Sequence, residues 1–173
     1  IGIDYDGTAS PSGRDARQNF MRPRTRDLLR RATGLGIPFI AITGRAWSQA
    51  VSSFEGTGIA PDRIAGNSGA VIGGELQISK REFNRVQGWV QRAREMLGDI
   101  PGGAINDKGP TFAIRDHAST NPAATRARID EFVRSTPGMG VHSIDYTFDC
   151  FSRNGPQHDK ATAQAHFMRK LGY

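Results

Sequence analysis

The apolar run Ile37-Pro38-Phe39-Ile40-Ala41-Ile42 limits the possible folds more than any other stretch of this chain. It is too short for a buried helix and presents no polar residue on either side. That is the pattern of a strand covered on both faces in a parallel sheet. Ile1-Gly2-Ile3 is a second short apolar segment. Between the two, Pro23 to Thr33 has helical spacing, with Leu28, Leu29 and Ala32 inward and a basic outer face, and Gly34 and Gly36 end it. Strand, helix and strand in this order make a βαβ unit, so the predicted class is α/β, a Rossmann-like parallel sheet. A helix from Ala46 to Phe54 and a strand over Ile64–Ile72, broken by small residues, continue the pattern.

The first strand leads into Asp4-Tyr5-Asp6-Gly7-Thr8. On an extended strand, residues two apart face the same side, so Asp4 and Asp6 are expected to share the C-terminal edge of the sheet, where open α/β sheets bind ligands. Two adjacent carboxylates repel unless a cation or a proton lies between them. Oxygen ligands of this kind suit Mg2+ shared with a phosphate. Gly7 permits a sharp turn, and Thr8 offers a hydroxyl and an N–H to an anion. The plain alternative is an Asp-Gly surface turn. Thr43-Gly44-Arg45 ends the Ile37–Ile42 run, and parallel pairing would set the Thr43 hydroxyl beside Asp4. As an isolated tripeptide it would instead cap the following helix. Lys160 opens a helix over Ala161–Leu171, against the helix dipole, a placement that a bound phosphate would explain.

The segment Asp4–Thr8 resembles the first motif of the haloacid dehalogenase-like phosphohydrolases. Thr43-Gly44-Arg45 is similar to their second motif, whose hydroxyl binds the phosphoryl group, and Lys160 to their third, although Ala161 stands where glycine is usual. Asn67-Ser68-Gly69-Ala70 resembles the exit from the core into a large cap in the sugar-phosphate phosphatases of this family. The resemblance implies a core over residues 1–72 and 153–173 and an inserted α+β cap over 73–152. Ser79-Lys80-Arg81-Glu82 reads as a capping box, opening a helix with Phe83, Val86, Trp89, Val90, Ala93 and Leu97 in one core-facing stripe that Gly98 closes. Two short strands over Ala104–Ile114 follow, then a helix from Asn121-Pro122 with Ile129, Phe132 and Val133 inward, and a hairpin of Val141–Ile144 with Thr147–Phe151. Asn106-Asp107-Lys108-Gly109 looks most like the Glu-x-Lys-Gly segment of trehalose-phosphate phosphatases. Asn106 replaces the glutamate, and Arg115 stands where a histidine is usual.

From that likeness follow the expected roles. Asp4 is the nucleophile of an aspartyl-phosphate mechanism, Asp6 the general acid and base, and Thr43 and Lys160 stabilise phosphoryl charge. Thr8, Gly44, Arg45, Asn67, Lys108 and Arg115 contact substrate, a small-molecule phosphate ester of the sugar-phosphate class. Mg2+ is held by Asp4 and Asp6 together with an acidic fourth motif that the family carries beyond the helix ending near Tyr173. The chain reads as an excerpt lacking that motif.

Composition permits other classes. The 173 residues have a net charge of +6 and a pI near 10.1. Arg22, Arg24, Arg26, Arg30 and Arg31 could meet nucleic acid, but without interleaved aromatics a solvated basic face is favoured. Cys150 is the sole cysteine, so no intrachain disulfide forms, in keeping with a cytoplasmic protein. No apolar run is long enough to span a bilayer. A phosphomutase, a nucleic-acid-end phosphatase and a catalytically silent phosphate-binding domain stay open as alternatives.

Overall fold

The computed structural model describes residues 1–11, 20–100, 104–116, 121–144, 147–153 and 159–172. Most of Ala9–Met21 and of Gly155–Lys160, both read from the sequence as loops, lies outside these residues. The chain divides into two compact units, Ile1–Gln77 with Gln157–Tyr173, and Ile78–Pro156.

In the first unit, β1 (Gly2–Ile3), β2 (Ile40–Ile42) and β3 (Ile64–Gly66) are parallel, with Ile3 opposite Ala41 and Ala41 opposite Ile64. β4 (Val71–Ile72) and β5 (Glu75–Leu76) extend the sheet antiparallel, in the order β1-β2-β3-β4-β5. The pairing of Glu75 with Ile72 keeps this hairpin in the first unit, whose border falls after Gln77 where the sequence suggested residue 72. Both faces of β2 are covered, as its unbroken apolar character requires. Ala41 packs with Leu29 of α1 (Pro23–Gly34) and with Ala50 of α2 (Trp47–Ser53), while Ile40 and Ile42 pack with Ala163 and Phe167 of α5 (Lys160–Lys170).

Two expectations need correction here. β2 runs from Ile40, opposite Gly2 of β1, and ahead of it the chain lies alongside Ile1, whose ammonium donates to the Pro38 carbonyl at 2.7 Å. Leu28 is exposed while its neighbour Leu29 is buried. Successive helical residues are about 100° apart, so the narrow stripe centred on Leu29 and Ala32 leaves Leu28 outside.

The second unit is an antiparallel sheet in the order β6-β7-β9-β8, from β6 (Ala104–Asp107), β7 (Phe112–Arg115), β8 (Met139–Ile144) and β9 (Thr147–Ser152). Phe112, Ile114, Phe148 and Cys150 form one core with Val86, Trp89, Val90, Ala93 and Leu97 of α3 (Lys80–Leu97) and Ile129 and Phe132 of α4 (Pro122–Arg134). The caps are those the sequence suggested. The Glu82 N–H donates to Ser79 Oγ at 3.2 Å and the Ala124 N–H to Asn121 Oδ1 at 3.1 Å, each contact contributing about 1 kcal/mol to its helix. Among the described residues no helix is long and apolar enough to cross a membrane.

Candidate active site

β1 stops at Ile3, and Asp4 to Ser10 form a compact turn in place of the extended strand end expected for the two aspartates. The Gly7 N–H donates to the Ser10 carbonyl at 2.9 Å, the Ala9 N–H to the Asp4 carbonyl at 3.2 Å and the Ser10 N–H to the Tyr5 carbonyl at 2.9 Å. Gly7 has φ 79°, the left-handed conformation that glycine adopts without a steric penalty. The Thr8 N–H donates to the Tyr5 carbonyl at 3.3 Å, so it closes the turn and does not face an anion as expected.

Each aspartate has its own cation. Asp4 accepts the Tyr5 N–H on Oδ1 at 2.7 Å, and Lys160 Nζ donates to its Oδ2. Asp6 receives Arg45 in a fork, Nε to Oδ2 at 3.0 Å and Nη2 to Oδ1 at 2.6 Å. Thus residues 4, 6, 45 and 160 converge at one end of the parallel strands. Thr43 directly follows β2, whose Ala41 stands opposite Ile3 at the end of β1. Thr43 is fully buried, and its Oγ1 accepts the Arg45 N–H at 3.2 Å. It does not cap α2, whose N-cap is Ala46.

Asn67 supplies the missing link. Its Oδ1 accepts the Trp47 N–H at 3.2 Å, and its own N–H donates to the Arg45 carbonyl at 2.7 Å. Buried in this way, it braces the loop after β2. Asn67 and Ser68 both have φ 53°, which asparagine tolerates better than most residues. Gly69 follows with φ 101°, and a Cβ there would stand 2.9 Å from the Asp159 carbonyl oxygen and 3.1 Å from the Ala163 Cβ. The first turn of α5 therefore seats directly on Gly69, which brings Lys160 to Asp4. The helix is capped by Asp159, which accepts the Thr162 N–H at 2.6 Å. The expected helix over Ala161–Leu171 left out this cap, although an aspartate at the start of a helical run is the usual N-cap signal.

Arg45 is packed as well as paired. Its guanidinium lies 4.2 Å from the centre of the Tyr5 ring. Burial alone would lower its pKa, but the hydrogen bonds and charge of Asp6 outweigh that, and the pKa stands above the ordinary arginine value. Gly44 lies between Thr43 and Arg45 and is half-buried.

For a metal ion, the site offers the oxygen atoms of Asp4 and Asp6. Among the described residues no three His, Cys, Asp or Glu side chains form a metal-ligand group. Mg2+ is commonly held by one or two carboxylates plus substrate phosphate and water, so the donor chemistry fits that ion. The cation drawn to each carboxylate shows that positive charge is favourable at these positions.

Within the second unit, Lys108 Nζ donates to Asp149 Oδ1 at 2.7 Å. Asp149 alternates with the core residues Phe148 and Cys150, so it belongs to the sheet face turned away from α3 and α4. Arg115 ends β7, and its Nε is buried without a hydrogen-bond partner among the described residues.

No family model matches the chain, and no curated protein matches it. Solved structures do. A trehalose-6-phosphate phosphatase related protein superposes with a TM-score of 0.74 at 19% identity, over 98% of this chain and 73% of its own. The C-terminal domain of C. albicans trehalose-6-phosphate phosphatase gives 0.68 at 12% identity, over 93% of this chain, which spans 58% of that one. A HAD subclass IIB sugar phosphatase gives 0.57 at 13% identity, over 99% of this chain and 75% of its own. The fold is therefore that of the HAD superfamily phosphatases.

Proposed function

We propose that the chain is a phosphoric monoester hydrolase acting on a sugar phosphate through an aspartyl-phosphate. The observation that carries this reading is the convergence of Asp4 with Lys160 and of Asp6 with Arg45 at the end of the parallel strands of a HAD fold. Asp4 is the nucleophile. Its carboxylate oxygen forms the bond to phosphorus as the bond to the ester oxygen breaks. Asp6 gives its proton to the departing alkoxide, then takes one from the water that releases phosphate from Asp4. Lys160 is placed to stabilise charge on the transferring oxygens, and the Thr43 hydroxyl to donate to one of them. Mg2+, held by the Asp4 carboxylate and the Asp6 backbone carbonyl, would neutralise phosphate charge when bound.

Trehalose 6-phosphate is the first candidate substrate, because the superposed structures include a trehalose-6-phosphate phosphatase domain and a protein related to such a phosphatase. Lys108 and Arg115 are the residues we propose to bind the part of the substrate that leaves. The test is phosphate release by the purified chain from trehalose 6-phosphate, hexose phosphates and an aryl phosphate, with Mg2+ and with a chelator. Release that requires Mg2+ and favours a sugar phosphate is the expected result. No release from any ester overturns the proposal.

A further inference from the structure

We infer that Arg45 is a positioning residue that acts through Asp6, and that it does not bind the substrate phosphate. The inference rests on the phosphatase reading and assigns Arg45 a task within it. Both oxygens of Asp6 are held by two different nitrogens of one guanidinium, so the plane of the carboxylate is fixed as well as its place. The guanidinium is fixed in turn. Its central carbon lies over the ring of Tyr5, which is 2% exposed, and the Tyr5 ring meets Phe54 edge-on at 5.4 Å. The Tyr5 hydroxyl accepts the Met21 N–H at 3.0 Å. The Arg45 backbone is held at both ends, its N–H on Thr43 Oγ1 and its carbonyl under the Asn67 N–H.

Asp6 needs this support because its side chain is 41% exposed and stands on a turn beside Gly7. Without a partner its carboxylate would rotate among several directions. A group that must meet a leaving oxygen and later a water gains most from a fixed direction. Lysine could supply the charge, but not the fork or the flat surface against Tyr5. A phosphate-binding arginine would present its donors to the ligand, whereas here two of them, Nε and Nη2, are engaged by Asp6.

A double-mutant cycle tests the inference in the full chain. Arg45→Lys and Arg45→Ala should each lower kcat for an alkyl phosphate by about 10- to 100-fold, the usual scale for a misdirected catalytic group, with KM little changed. In an Asp6→Asn background the same changes should add almost nothing, because residues that act as a unit are not additive. The initial burst of phenol from an aryl phosphate, which needs little protonation, should survive in every variant. A raised KM for all esters, or equal losses in both backgrounds, would assign Arg45 to phosphate and overturn the inference. If Arg45→Ala does not fold, Arg45→Lys alone carries the cycle. A second readout does not depend on turnover: the Arg45 Nε–H resonance should move on Asp6→Asn and stay in place on Lys160→Met. A resonance indifferent to Asp6→Asn overturns the positioning role even if turnover persists. A parent chain that hydrolyses no ester overturns the phosphatase reading instead, however the resonance behaves.

Discussion

The two units are built on opposite economies of sequence. In the second, strands of four to six residues pair with neighbours along an antiparallel sheet, and one core joins them to two capped helices. In the first, the parallel strands have only two or three residues, and Asp4, Asp6 and Arg45 project from the irregular backbone that follows them. Asp4 meets a residue 156 positions away, and Asp6 one 39 positions away. Stability in the second unit thus comes from regular elements, while the site in the first depends on where irregular backbone ends.

If that division holds, substitutions in the two places should fail differently. Asp6→Asn should slow turnover of an alkyl phosphate by about 100- to 10,000-fold, the range for loss of a general acid or base, while amide protection in β7 and β9 stays unchanged. A matching loss of protection would show that site and scaffold are not separable. Phe132→Ala removes a fully buried ring beside Phe112. It should cost about 3–5 kcal/mol, seen as faster amide exchange in β7 and β9, and a loss under about 1 kcal/mol would mean that the core is not the one described. Lys108→Ala should raise KM for a sugar phosphate by about tenfold, since only uniform binding is lost, and leave an aryl phosphate nearly unaffected. Equal effects on both would remove Lys108 from the proposed site.

The smallest effect concerns Cys150. Burial first, then the Asp149 charge, pushes its thiol up to about 12 from an ordinary 9.0. Between those values the unfolded chain has lost the proton and the folded chain keeps it, so stability present below pH 9 should decline by about 1.4 kcal/mol per pH unit above it. Cys150→Ala should flatten that part of a denaturation profile. An unchanged profile would place the alkaline loss elsewhere.

Much of this architecture is legible in the residues. The unbroken apolar character of Ile40–Ile42 specifies a strand covered on both faces, and Ser79 with Glu82 specifies where α3 begins. Period and cap are local properties, so a single sequence carries them. The site is less legible because its decisive contacts are not local. Nothing near Arg45 says that its fork closes on Asp6, nothing near Asn67 says that it braces Trp47, and the tight turn at Asp4–Ser10 overrode the alternation expected of a strand. Leu28 shows the same limit on a smaller scale: two adjacent leucines on a helix cannot both sit at the centre of one narrow stripe, and composition does not say which one does.

The central claim is that Asp4 carries the phosphoryl group. The most direct measurement is rapid quench of the chain with a labelled aryl phosphate and Mg2+, followed by peptide mapping of the acid-stable, hydroxylamine-sensitive adduct. Label is expected on the peptide containing Asp4, accumulating in Asp6→Asn, where the adduct forms but water is poorly activated, and absent in Asp4→Asn. The same adduct formed in full by Asp4→Asn would contradict it.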